Sequence, residues 1–375
     1  MPQPKKPTLL HPLSGAHPAT YIKQWIRNFP LSLRSTHIRL IAVLAIIVRS
    51  PKIVAEHLKL RRGMAAQKLD RGPVFVIGHW RSGTTHLHNL LSQDPNFGWL
   101  NFAEAGMPLD CNGKFKAGRW FMRKSMPKTR GMDAVSISPN TPQEEELALG
   151  NMYTLSFFNT FYFPSKLMTH YREGVLLEGI SAGKLDKFAS TYRYLVRKFT
   201  HLSGGKLMLF KNPANTARIA FLRKQFPNAK FIHIVRNPFE VYASTQKLWQ
   251  SMFQSLALQK FEDIDTHPRT LEIYETMMKR FLVERAEIPD EDFIELRFED
   301  LESDPVAELT KIYDKFSLPD KEAGLDKIRA YSDSIKGYQR SRYQLPSSVL
   351  EEIRERWAFT IDHWGYDLPD SIEPL

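Results

Sequence analysis

Residues 74–91, VFVIGHWRSGTTHLHNLL, constrain this chain more than any other stretch. Val74, Phe75, Val76 and Ile77 are apolar on both faces, the pattern of a strand covered on both sides inside a parallel sheet. Gly78 and Gly83 bracket a loop of four residues, and Thr84 and Thr85 open a helix carrying Leu87, Leu90 and Leu91. Such a unit converges backbone N–H groups and a helix N-terminus on an anion. The G-x-x-x-x-G spacing matches the nucleotide-triphosphatase loop, but Thr84 stands where that motif needs lysine. The cation has moved inside the loop, as Arg81.

Further strands follow in order. Lys206 to Phe210 reads as a strand and runs into Lys211-Asn212-Pro213. Phe231 to Val235 (FIHIV) is a second buried strand ending in Arg236-Asn237-Pro238, with Ser244 eight residues after the arginine. FIELRFEDL, Phe293 to Leu301, supplies a late strand. Helical patterns are predicted over about 20–70, 184–202, 216–226, 238–260, 268–286, 303–330 and 347–360. Thr141-Pro142-Gln143-Glu144 has the form of a helix start, with Thr as cap and Pro in the first turn. Strands alternating with helices imply parallel pairing through right-handed crossovers. The expected fold class is α/β: a three-layer P-loop fold with a central parallel sheet flanked by helices, plus a basic helical segment at the N-terminus.

GHWRSGTT resembles the 5′-phosphosulfate loop of sulfotransferases that use 3′-phosphoadenosine 5′-phosphosulfate (PAPS), in the branch with PRSGTT-type loops that includes the tyrosylprotein sulfotransferases. Arg236 and Ser244 resemble that family's 3′-phosphate motif, Phe210 to Pro213 its K-D/N-P segment, and FIELRFEDL its strand ending in E-D-L. The resemblance spans roughly residues 73–301. It implies sulfuryl transfer from PAPS, with Arg81 and Lys211 on the sulfuryl and bridging oxygens and Arg236 and Ser244 on the 3′-phosphate. Ser82, Gly83, Thr84 and Thr85 would hold the 5′-phosphate. Lys336-Gly337 weakly resembles the late loop that closes on the cofactor.

The acceptor's proton needs a base. Glu104, 23 residues after Arg81, ranks first by resemblance; Glu145 ranks second on its place in the acidic cluster Glu144 to Glu146, at a helix start beside the aromatic run. The cluster has a plainer role in complementing a helix dipole. His86 and His88, one turn into the P-loop helix, are better suited to packing. A base near neutral pKa requires desolvation. The transfer needs no metal, and no H-x-x-x-H or C-x-x-C ligand set is present.

Charge divides the chain. Residues 1–72 hold 13 Lys/Arg against 2 Asp/Glu, so the net charge of +11 belongs wholly to this segment, and the remaining residues balance. We therefore read 1–72 as a basic helical extension and 73–375 as the sulfotransferase P-loop domain. The nine-residue apolar run Leu40 to Val48 is too short to span a bilayer. Two readings of the segment stand: a helical pair packed on the body with a basic outer face, which a fully apolar run favours, or peripheral contact with an anionic membrane. The basic residues form no nucleic-acid reading motif. The single cysteine, Cys111, excludes intramolecular disulfides, fits a reducing, cytoplasmic setting, and is read as a bystander.

A P-loop kinase or NTPase fails at Thr84 and at the strand end occupied by Arg236 in place of a Walker-B aspartate. An inactive nucleotide-binding module is the other alternative, which the retained set of cations opposes. The aromatic run Tyr153, Phe157, Phe158, Phe161, Tyr162 and Phe163 is either core, as helical spacing favours, or the wall of a pocket for a lipid or other hydrophobic small-molecule acceptor.

Overall fold

The computed structural model describes residues 11–111, 138–335 and 342–375. The chain forms two compact units, Met1–Leu69 with Trp99–Lys206 and Leu248–Ile264, and Asp70–Gly98 with Leu207–Lys247 and Asp265–Leu375. Lys336 lies outside the described residues.

The second unit is built on a parallel sheet of β1 (Val74–Ile77), β2 (Phe97–Gly98), β3 (Leu207–Lys211), β4 (Lys230–Val235) and β5 (Phe293–Arg297), in the order β2-β3-β1-β4-β5. β1 is central and buried along its length. The chain crosses from β3 on one side of β1 to β4 on the other, so the switch point of the sheet lies at the end of β1. Open α/β sheets bind ligands there.

Alternation along the strands sorts the apolar residues into two layers. Val74, Val76, Leu209, Ile232 and Ile234 face Leu87, Leu90 and Leu91 of the P-loop helix and the helix Pro305–Phe316. Phe75, Phe210 and Phe231, cross-strand partners, stack on the other face with centroids 5.8 and 5.7 Å apart. Aromatic rows of this kind bury much area and pin register.

Several boundaries move. The helix expected from 216 starts at Ile219, behind a 3-10 turn Pro213–Ala217. The single helix expected over 303–330 is two, Pro305–Phe316 and Lys321–Ser334, parted where Ser317 and Asp320 take positive φ. A small parallel pair, β6 (Tyr343–Leu345) and β7 (Ile372–Pro374), was not anticipated.

The first unit is helical, with α1 (Pro18–Arg27), α2 (Thr36–Ala66) and a long helix Ala182–Leu202 against which α2 packs. The expected Thr141 cap is corrected: the helix runs Glu145–Met152 with Glu144 at its N-cap, and Pro142 instead bridges to Asn101. In the aromatic run, Phe157, Phe161, Tyr162 and Phe163 are buried, and Trp249 lies 5.3 Å from Phe161. These rings are core.

The N-terminal segment packs through one face of α2, and its outer face differs from the expected one. α2 buries Ala42, Ile46, Arg49, Glu56, Leu60 and Met64, but its outer face is apolar as well as basic. Its buried charges are paired. Arg49 donates to Asp110 and to the carbonyl of Ser14, and Lys198 meets Glu56 at 2.5 Å. Among the described residues no helix is long and apolar enough to cross a membrane.

Candidate active site

The loop after β1 is shaped by two glycines and one strained arginine. Gly78, at φ +144, donates its N–H to Thr216 Oγ1 at 2.8 Å, which fixes the loop's entry. Ser82 closes the turn, its N–H and hydroxyl both donating to the carbonyl of His79, at 3.1 and 2.8 Å. Gly83, at φ +97, caps the P-loop helix, α3 (Thr84–Leu91). A Cβ on Gly83 would lie 2.2 Å from the Phe298 ring. The first α3 bond runs from Leu87 N to Gly83 O, which leaves the first-turn N–H groups, from Thr84 onward, directed out of the helix end.

Arg81 takes a left-handed backbone, φ +74, that glycine accepts far more readily. Its Nε donates to Ser244 Oγ at 2.8 Å. Arg236, just past β4, donates to the carbonyl of Arg81 at 3.4 Å. Glu240 holds Arg236 from one helical turn away, at 2.8 Å, and the guanidinium lies 4.4 Å from the Phe298 ring centroid. Lys211, buried at the end of β3, is in register with Val76, and Asn212 N donates to Val76 O. Arg81, Arg236 and Ser244 are thus joined through hydrogen bonds, and Lys211 ends the strand beside β1. This concentration of positive charge around backbone donors suits a polyanion.

The histidines of α3 do not compete as bases. Burial, helped by nearby Lys211, pushes His88 down to about 3, and burial lowers His86. Burial thus favours the neutral form of both.

Of the expected bases, Glu104 closes a capping box: its Oε2 accepts from Asn101 N at 2.9 Å, while Asn101 Oδ1 accepts from Glu104 N. One carboxylate oxygen thus has a structural task. Glu145 is fully buried, with Tyr192 OH donating to its Oε1 at 2.7 Å. Burial, reinforced by Glu146 and Glu144 against the lowering effect of Tyr192, raises it from 4.5 to about 7. Glu146 is occupied by the N–H of Phe157 at 2.6 Å. The helices bearing Glu104 and Glu145 pack on each other within the first unit.

The model of the sulfotransferase family matches residues 73–322. The chain belongs to the sulfotransferase family. As a sulfotransferase it is similar to omega-hydroxy-beta-dihydromenaquinone-9 sulfotransferase Stf3 of Mycobacterium bovis, 29% identical over 94% of this chain and 90% of the relative. The Mycobacterium tuberculosis counterpart matches equally. Its fold is similar to that of sulfotransferase STF9 from Mycobacterium avium, with TM-score 0.74 at 19% identity over 95% of this chain and 91% of that one. The structure of STF1 from Mycobacterium tuberculosis gives 0.66 at 18% identity, covering 91% and 90%. The protein is therefore an enzyme of sulfuryl transfer on a P-loop α/β fold.

Four supporting residues of this sulfotransferase escaped the sequence reading: Thr216 at the loop entry, Glu240 behind Arg236, the Phe298 wedge, and Tyr192 on Glu145. Only Glu240 left a signal, its i,i+4 spacing from Arg236. Among the described residues no group of His, Cys, Asp and Glu is placed to hold a metal.

Proposed function

We propose that the donor is PAPS and the acceptor a hydroxyl on a hydrophobic, lipid-type molecule. One observation carries the donor assignment: Arg81, seated in the phosphate loop on Ser244 and joined through its carbonyl to Arg236, replaces the lysine a triphosphatase would place at 84. The first-turn N–H groups of α3 and the hydroxyls of Thr84 and Thr85 suit the 5′-phosphate. Arg236, aimed by Glu240, suits a forked contact to the 3′-phosphate together with Ser244. Arg81 and Lys211 neutralise charge on the sulfuryl group and the leaving phosphate. The late-loop role of Lys336 remains part of this proposal on resemblance alone.

In the step itself the acceptor oxygen bonds sulfur as the sulfur–oxygen bond to the 5′-phosphate breaks. The bond pair leaves on the phosphate oxygen, and the acceptor proton passes to a carboxylate. We assign that carboxylate to Glu145, on its place in the acidic cluster at the helix start and on the burial that raises its proton affinity. Glu104 is the competitor, on its spacing from Arg81.

The lipid acceptor rests on the relatives, whose name specifies a hydroxylated menaquinone. A peripheral membrane contact through the N-terminal segment belongs with it, since such molecules partition into bilayers.

Calorimetric titration with 3′-phosphoadenosine 5′-phosphate, beside ATP–Mg²⁺ and AMP, tests the donor. Binding that depends on the 3′-phosphate and weakens in Arg236→Ala is expected; no preference over ATP refutes it. Turnover of Glu145→Gln and Glu104→Gln with a hydroxylated prenylquinone tests the base. Loss of the order of 10²–10⁴-fold is expected in the first; the same loss confined to the second transfers the role to Glu104.

A further inference from the structure

Of the fourteen exposed large apolar side chains among the described residues, eleven fall between Ile22 and Leu58. Six are on α2: Leu40, Leu44, Ile47, Val48, Val54 and Leu58, each about 60% exposed. At 100° per residue they share an arc of about 120°, opposite the buried face, and extend for about 27 Å. Basic residues border this stripe, with Lys52 and Lys59 along one edge and Arg61 along the other. Apolar stripes with cationic borders lie in the headgroup region of anionic bilayers.

A second observation sits at the end of the stripe. A cavity of about 390 Å³ opens between α2 and the helix Ala182–Leu202, with Arg61, Arg193 and Arg197 on its walls. His57 and Tyr194 stack beside them, centroids 6.2 Å apart. No carboxylate lines the cavity among the described residues. The nearby Glu56 is instead turned inward onto Lys198. Three guanidinium groups around one recess with aromatic and methionine walls, the last from Met64, fit a phosphate diester with an apolar attachment.

We infer that this cavity binds the phosphate headgroup of an anionic lipid while the apolar face of α2 rests in the bilayer surface. The inference deepens the membrane-contact part of the proposed function and rests on it. A second copy of the chain is a poorer occupant, because a two-fold contact would set these cationic borders against their own copies.

Flotation of the full chain with vesicles tests this, using phosphatidylcholine alone or doped with phosphatidylglycerol. Binding to the doped vesicles is expected. The variant R61Q/R193Q/R197Q should lose about fivefold per arginine, on the order of a hundredfold in all. The variant L44S/I47S/L58S should lose binding to the doped vesicles as well. Both variants keep the wild-type melting temperature and turnover of a short-chain soluble acceptor, so failure here is distinct from failure of the sulfuryl-transfer reading. Binding indifferent to phosphatidylglycerol, or unchanged in the arginine variant, overturns the inference. So does displacement from vesicles by equimolar glycerol phosphate, which would make the site one for soluble phosphate esters. A dimer in sedimentation velocity that the serine variant abolishes would assign the stripe to a second copy.

Discussion

Glu145→Gln should stabilise the protein and silence it together. The carboxyl is fully buried, and its pKa is raised from 4.5 to about 7. A group whose folded pKa exceeds its unfolded value contributes stability that is fully present below the unfolded pKa. That contribution is lost as pH rises through the folded pKa. The window here is therefore about pH 4.5 to 7. At about 1.4 kcal/mol per tenfold in proton affinity, ionising Glu145 in the fold costs on the order of 3 kcal/mol above that window. Glutamine keeps the oxygen that accepts from Tyr192 and has no charge to desolvate. Urea unfolding of both proteins at pH 5 and pH 8 measures the effect. The variant should gain on the wild type by about 2–3 kcal/mol between the two pH values, on top of any constant offset. A difference between the two proteins that does not change with pH refutes the raised affinity, and with it the reason for naming Glu145 as base.

Gly83→Ala meets the Phe298 ring and an unfavourable φ, and should cost about 1–3 kcal/mol in urea unfolding. Glu240→Gln removes the carboxylate that aims Arg236; affinity for 3′-phosphoadenosine 5′-phosphate should drop by about 1–2 kcal/mol in calorimetry while the unfolding midpoint moves less. Burial, with Glu56, Glu104 and Asp110 nearby and against the effect of Lys198, pushes the Cys111 thiol up to about 12. Ellman's reagent at pH 8 should therefore label this half-buried thiol much more slowly in the folded protein than in the unfolded one. Arg49→Met leaves Asp110 buried without its cation and should destabilise by about 3–5 kcal/mol, whereas replacing both partners with apolar residues should recover most of that.

The parallel sheet and its phosphate loop were legible because β1 is wholly apolar, β4 is apolar but for Lys230 and His233, and they run into Gly78 and Arg236, signals that depend on a few adjacent residues. The places of Arg81, Arg236 and Lys211 at the ends of neighbouring strands were legible for the same reason, while their roles belong to the proposal. The helix break at Ser317 and Asp320 was not, since neither residue type demands a positive φ. Thr141 failed as a cap because Pro142 finds a partner in Asn101, far away in sequence. The base could not be ranked from sequence. Glu104 and Glu145 differ in burial and partner, a capping box for one and full burial against Tyr192 for the other, and neither is written locally. α2 misled in a more general way: a run apolar on every side reads as buried, yet only one side of it is.

Arg81 stands on a backbone that natural drift would give to glycine or asparagine. An ordinary side chain there costs about 1 kcal/mol, so the loop carries strain that a glycine would relieve. A duplicate of this enzyme released from its chemistry would gain stability by surrendering that arginine before losing its sheet. Position 81 is thus a sensitive place to distinguish working relatives from retired ones, and Arg81→Gly should give a protein that folds more tightly than its parent and transfers nothing.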